Sequence, residues 1–165
     1  EIGKGTRWQK GVCGGEISYY TSNDQRNFLN PEGMYGWTWE DASAKYHLTF
    51  IIANDATGGI YGTVDRFREA GMAVGYSFEV MNCRTNGEET RLAVTNTGIA
   101  PIYRDAYFAI GDAQSSTSLC CVMPNDTVEI SIPRGYNEGD SLIIVSPHIL
   151  PTQTIEYKVN QVVEE

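Results

Sequence analysis

No apolar run in this 165-residue chain comes near the ~20 residues a helix needs to cross a bilayer, so membrane insertion is not expected. Nowhere do two Lys or Arg residues stand side by side. Twelve basic residues face 21 acidic ones, for a net charge of −9 and a pI near 4.7. Affinity for nucleic acid rests largely on cationic contacts to phosphate, so a nucleic-acid partner is excluded, and an anionic membrane surface is disfavoured on the same ground.

Histidine and cysteine are also scarce. His47 and His148 stand alone, and Cys13, Cys83, Cys120 and Cys121 form neither the CxxC pairs of a zinc site nor a dense disulfide framework. Cys120 and Cys121 fall in a stretch that reads as a strand, where neighbours face opposite ways and cannot hold one ion together. We therefore expect no metal, and the cysteines read as small buried apolar side chains. Also missing are a GxSxG elbow, an HExxH pair and a glycine-rich phosphate loop, so neither a cofactor nor a ready-made nucleophile is expected.

What is present divides the chain in two, at 1–74 and 75–165. From Gly75 onward, β-branched and aromatic runs recur between turn residues, which predicts an antiparallel β-sandwich. Seven strands are expected, near 75–83, 89–97, 105–110, 116–122, 126–132, 140–146 and 153–159. Tyr76, Phe78 and Val80 alternate with Ser77 and Glu79, and Val128, Ile130 and Ile132 alternate with Glu129 and Ser131. Asn86-Gly87 suits a hairpin turn.

The first 74 residues have a different period. Val12 to Ser18 and Leu48 to Asp55 read as buried strands, Asn30 to Tyr46 contains a helix, and Thr63 to Val74 is a second helix. Thr38 with Asp41, and Thr63 with Asp65, are helix-start signals. Val64, Phe67, Ala70 and Val74 fall on one helical stripe. Strand, helix, strand, helix is the βαβ pattern of a parallel sheet. Two such strands leave edges and an apolar face, that of Phe50, Ile51 and Ile52, in need of cover, so a homo-oligomer or a tight clasp by the sandwich is expected. The chain opens on Glu1 without Met, which we read as a processed or trimmed start.

GGEISYY, NPEGMYGWTWEDASAKYHLTFIIAND, YGTVDRFREAGMAVGYSFEV and RLAVTNTGIAPIYRDAYFAIGD together resemble the C-terminal end of bacterial glycoside-hydrolase-like proteins of unassigned function. The resemblance implies an α+β, mainly β chain: the end of a (β/α)8 barrel as a βαβα segment, then an immunoglobulin-like β-sandwich. It also implies a secreted, periplasmic or cell-surface location and a polysaccharide or oligosaccharide partner.

In a barrel, carboxylates at the C-terminal ends of strands point into the active-site mouth, and glycoside hydrolysis needs two of them. Glu16 and Asp55 are the candidates for that pair. The plainer reading has Glu16 bonded to a loop or paired with Arg7 or Arg26, and Asp55 capping the turn that follows it. Tyr35, Trp37 and Trp39, with Tyr19 and Tyr20 upstream, offer flat faces for sugar C–H groups, though paired tryptophans are more often packing residues. Asn54 completes the ligand-binding set. Three functions are consistent with these features: a carbohydrate-associated module without independent catalysis, a fragment of a polysaccharide hydrolase, and a protein-interaction module.

Overall fold

The computed structural model describes residues 5–160 and is α+β, mainly β. The described residues fall into two compact units, 5–75 with 98–100 and 76–97 with 101–160. All three α-helices lie before Gly75.

In the first unit, β1 (Gly14–Glu16), α1 (Ser22–Asn27), α2 (Trp39–Tyr46), β2 (Phe50–Ile52) and α3 (Val64–Met72) follow one another. β1 and β2 pair in parallel, with Gly14 opposite Phe50 and Glu16 opposite Ile52. Both strands are shorter than the expected Val12–Ser18 and Leu48–Asp55. A two-stranded ladder has no outer neighbours, so only single backbone bonds extend it, Thr49 N–H to Cys13 O at one end and Ile17 N–H to Ile52 O at the other. One face of the pair turns Ile17 and Ile51 to a small core built around Leu29, Trp39 and Ala70. Its other face leaves Phe50 and Ile52 nearly half exposed.

The helix starts carry the expected chemistry. Thr38 Oγ1 accepts the Asp41 N–H at 3.0 Å, and Thr63 Oγ1 accepts the Arg66 N–H at 3.2 Å, each satisfying an amide that has no partner within its helix. α2 ends on His47 in the left-handed region, whose ring stacks on Trp8 and whose Nδ1–H donates to the Ile99 carbonyl. The stripe expected on α3 is shorter than predicted. Ala70 is buried and Phe67 and Val74 pack beside it, but Val64 at the first helical position is exposed, because the helix meets the core only beyond its first turn.

Arg66 ties this unit together. Its guanidinium grips both oxygens of Glu40 on α2, at 2.6 and 3.1 Å, and its Nε–H donates to Leu29 O. The hydrogen bond from Arg66 holds the Glu40 carboxyl below the usual range. A carboxylate with a depressed folded pKa contributes stability that is fully present above its unfolded pKa and is lost as pH falls through the folded value. We expect this unit to weaken on acidification below about pH 4.5, with a smaller pH response in Glu40→Gln. Denaturant titration across pH 3–6 checks this, and equal pH slopes in the two proteins would refute it.

The second unit holds β3 (Phe78–Thr85), β4 (Thr90–Asn96), β5 (Tyr107–Ile110), β6 (Ala113–Gln114), β7 (Thr127–Ile132), β8 (Leu142–Val145) and β9 (Tyr157–Val159). They form sheets in the order β7-β4-β3-β9 and β6-β5-β8. Phe78, Val80, Leu92, Val94, Ile130 and Ile132 from the first sheet share one core with Phe108, Ile110 and Ile144 from the second. The expected alternation holds until Val80, where a bulge shifts the β3 register before Asn82. The extra residue, Met81, is exposed, and Cys83 instead of Asn82 becomes the next buried side chain. Asn86 makes the predicted turn, its Oδ1 accepting the N–H groups of Glu88 and Glu89.

Two expectations for this unit are corrected. The last strand, β9, runs parallel to β3, so the first sheet is not wholly antiparallel. Residues 116–122 are not a strand. After the two-residue β6 the chain turns, with Cys121 at φ +63°, and buries Leu119 in the core. The apolar residues of that stretch reflect one inward anchor, not a pleat.

Candidate functional site

The carboxyl ends of parallel strands are where α/β sheets bind ligands, because successive loops diverge there and leave a crevice. In this chain the loops after β1 and β2 enclose a cleft of about 330 Å³, lined by Tyr19, Thr21, Ser22, Gln25, Asn54 and Asp55. Gln25 builds it. This side chain on α1 is only 2% exposed. Its Nε2 donates to Ile17 O at 2.8 Å, and its Oε1 accepts the N–H groups of Asn54 at 2.7 Å and Asp55 at 3.3 Å. One amide thus joins the exit of β1 to the exit of β2. The β2 loop also packs directly on α1, where a Cβ on Gly59 would strike the Arg26 carbonyl.

Of the sequence candidates, Tyr19, Asn54 and Asp55 line this cleft. Tyr19 is half exposed. Asp55 faces Arg26 at 4.0 Å with both side chains about half exposed, and it stands at the N-cap of a short 3-10 turn without a side-chain bond to that turn. Glu16 is exposed at the end of β1 and is not among the lining residues. The two proposed catalytic carboxylates therefore do not face one another across this cleft.

The aromatic cluster is split. Tyr35 and Gly36 both have positive φ, the signature of a type I′ turn, and Met34 and Trp37 close a tight hairpin around them. Tyr35 projects from its tip and donates to Asp24 Oδ1 at 2.8 Å, on the same helix that lends Ser22 and Gln25 to the cleft. That bond to a carboxylate raises the Tyr35 phenol pKa. Trp37 is partly exposed, but the Lys45 ammonium sits 4.2 Å from its ring centroid and occupies one face. Trp39 is not a surface residue: it is 5% exposed, edge-on to Phe28, with its indole N–H bonded to Ala70 O. At two-residue spacing the hairpin and the helix that follows it send the two indoles to different environments.

Sequence reasoning missed Thr21, Ser22 and Gln25 because α1 has no apolar stripe. The signal was Thr21 followed by Asp24, a helix-start spacing, although Thr21 makes no side-chain cap bond. Other hollows fit a site less well. One of about 310 Å³ is walled by Phe28, Trp39, Ile51, Phe67 and Val74, with few polar groups to orient a ligand. Another of about 200 Å³ in the β-rich unit includes Glu89, whose carboxylate is already engaged by Arg91 and Ser131. Among the described residues no group of three or more His, Cys, Asp or Glu side chains could hold a metal ion, and no helix is long and apolar enough to cross a membrane.

No family model, curated protein or solved structure matches this chain.

Proposed function

We propose that the chain is a carbohydrate-associated binding module of a glycoside-hydrolase-like protein, without catalysis of its own. On this reading the parallel βα unit is akin to the end of a (β/α)8 barrel and the β-rich unit to an immunoglobulin-like sandwich. The observation that carries it is the cleft at the carboxyl ends of β1 and β2. Its hydroxyl, amide and carboxylate groups, with the half-exposed ring of Tyr19, are the donors, acceptors and apolar face that a pyranose presents surfaces to.

An open cleft of this size leaves much of a sugar in water, so binding is expected in the millimolar range, on the order of −4 kcal/mol. Titration of oligosaccharides followed by amide chemical shifts tests this. Shifts should centre on the segments around 19–25 and 53–55, and Tyr19→Ala and Asn54→Ala should weaken binding several-fold. Shifts confined to the β-rich unit would move the site. Reducing-sugar release lost in Glu16→Gln would favour the hydrolase alternative, in which Glu16 and Asp55 are the catalytic pair.

One observation favours the interaction-module reading: the uncovered side of β1 and β2 bears Phe50 and Ile52, 46% and 47% exposed. Apolar sheet faces of this kind are commonly partner-covered. A dimer by light scattering that dissociates in Phe50→Ser would support it.

A further inference from the structure

In the turn between β6 and β7, two thiols that a strand would have sent to opposite faces are brought together. Cys120 Sγ and Cys121 Sγ are 3.4 Å apart in a turn where Cys121 takes φ +63°. The turn is firmly placed. Leu119, fully buried, donates its N–H to Ala106 O, Cys121 donates its N–H to Ile102 O, and Cys120 donates its N–H to Ser118 Oγ. Cys121 is exposed and Cys120 half-buried, so the pair has one sulfur that a solute can reach and one behind it.

We propose that Cys120 and Cys121 are a redox-active vicinal dithiol, which a small-molecule disulfide such as oxidised glutathione converts to a ring closed through the intervening peptide. The Cys121 thiolate attacks one sulfur of the glutathione disulfide, forming a mixed disulfide and releasing one glutathione thiolate. Cys120 then gives its proton to solvent, attacks Cys121 Sγ and expels the second glutathione. The protein loses two hydrogens and two electrons, and the glutathione disulfide gains them as two thiols.

The order of attack follows from the surroundings. Cys121 is the exposed member and meets the oxidant first, while burial, followed by the hydrogen bond and charge of Cys121, pushes the Cys120 thiol up to about 11 and makes it the slower to attack. The closed ring is easily reopened. Adjacent Cα atoms across a trans peptide lie about 3.8 Å apart, short of the ~4.4–6.8 Å of relaxed disulfides, and strained disulfides are the readily reduced ones. The other cysteines fit the role less well. Cys83 is buried in the β-rich core, where burial raises its thiol pKa, and Cys13 is half-buried in the first unit.

The experiment equilibrates the folded protein with graded ratios of reduced to oxidised glutathione, quenches it with acid, alkylates it and maps tryptic peptides. Cleavage at Arg104 and Arg134 isolates a peptide containing Cys120, Cys121 and no other cysteine. In wild type this peptide should become about 2 Da lighter and lose both alkylation sites under oxidising ratios, and regain them with excess reduced glutathione. Cys120→Ser should instead retain glutathione on Cys121, since no second thiol remains to expel it. Two alkylatable thiols at every ratio, a lasting glutathione adduct in wild type, or pairing of either residue with Cys13 or Cys83 would each overturn the proposal.

Discussion

Trp39→Ala is expected to cost the first unit about 3–5 kcal/mol, the range for emptying a large aromatic site in a core, and so to unfold it at ordinary temperature. The indole is 5% exposed, edge-to-face with Phe28, and its Nε1–H closes on Ala70 O at 2.9 Å. Truncation opens a cavity in a core whose buried apolar members among the described residues are Leu29, Trp39 and Ala70, so little remains to collapse into the space. Trp39→Phe keeps much of the volume but leaves the Ala70 carbonyl unpaired, for a loss nearer 1–3 kcal/mol. Denaturant unfolding followed by exchange of the α3 amides distinguishes the two. If the chain binds saccharide as proposed, affinity measured on the folded Phe variant should match wild type. If it falls while exchange protection stays unchanged, Trp39 is a ligand-facing residue after all.

Gln25→Ala should have the second largest effect, about 2–4 kcal/mol: a carbonyl and two amides lose their partner, but Asn54 and Asp55 are exposed and their amides rehydrate, so the cost is roughly 1–3 kcal/mol for one group left dry plus the lost packing of the side chain. Gln25 bonds Ile17, Asn54 and Asp55 at once, so its loss loosens both walls of the cleft. Stability should therefore fall in this variant and, on the proposed binding role, saccharide affinity with it. Gln25→Met separates volume from hydrogen bonding, since it fills nearly the same space without polar atoms. A Met variant as stable as wild type would show that packing, not the amide, holds the loops.

The helix-start and turn chemistry was legible because it is local. Thr38 with Asp41, Thr63 with its following amides, and Asn86-Gly87 act within four residues, so their spacing along the chain is the geometry itself. The period-2 runs of Phe78 and Val80 and of Ile130 and Ile132 were legible for the same reason, since alternation sends every second side chain to one face. The limits of this reading appear at Met81, where one extra residue reverses the phase, and at Val64, where a correct helical stripe outruns the surface it packs on.

The candidate site was half legible. Asn54 and Asp55 stood out at the end of a predicted strand and Tyr19 as an aromatic upstream of the tryptophans, and all three line the cleft. Gln25 could not be singled out, because its role depends on two backbone segments 8 and 29 residues away that only the parallel pairing of β1 and β2 brings to it. Trp37 and Trp39 have the same residue type and nearly the same position, yet one lies under a lysine at the surface and the other is in the core. The sequence by itself determined the strand-rich second half, the helix starts and the acidic surface, because these depend on residue type and short-range spacing. Tertiary structure alone decided the parallel placement of β9, the bridging role of Gln25, the burial of Trp39 and the meeting of the Cys120 and Cys121 sulfurs. Each of these depends on long-range contacts or on a single backbone angle selected by them, and neither leaves a periodic trace in the chain.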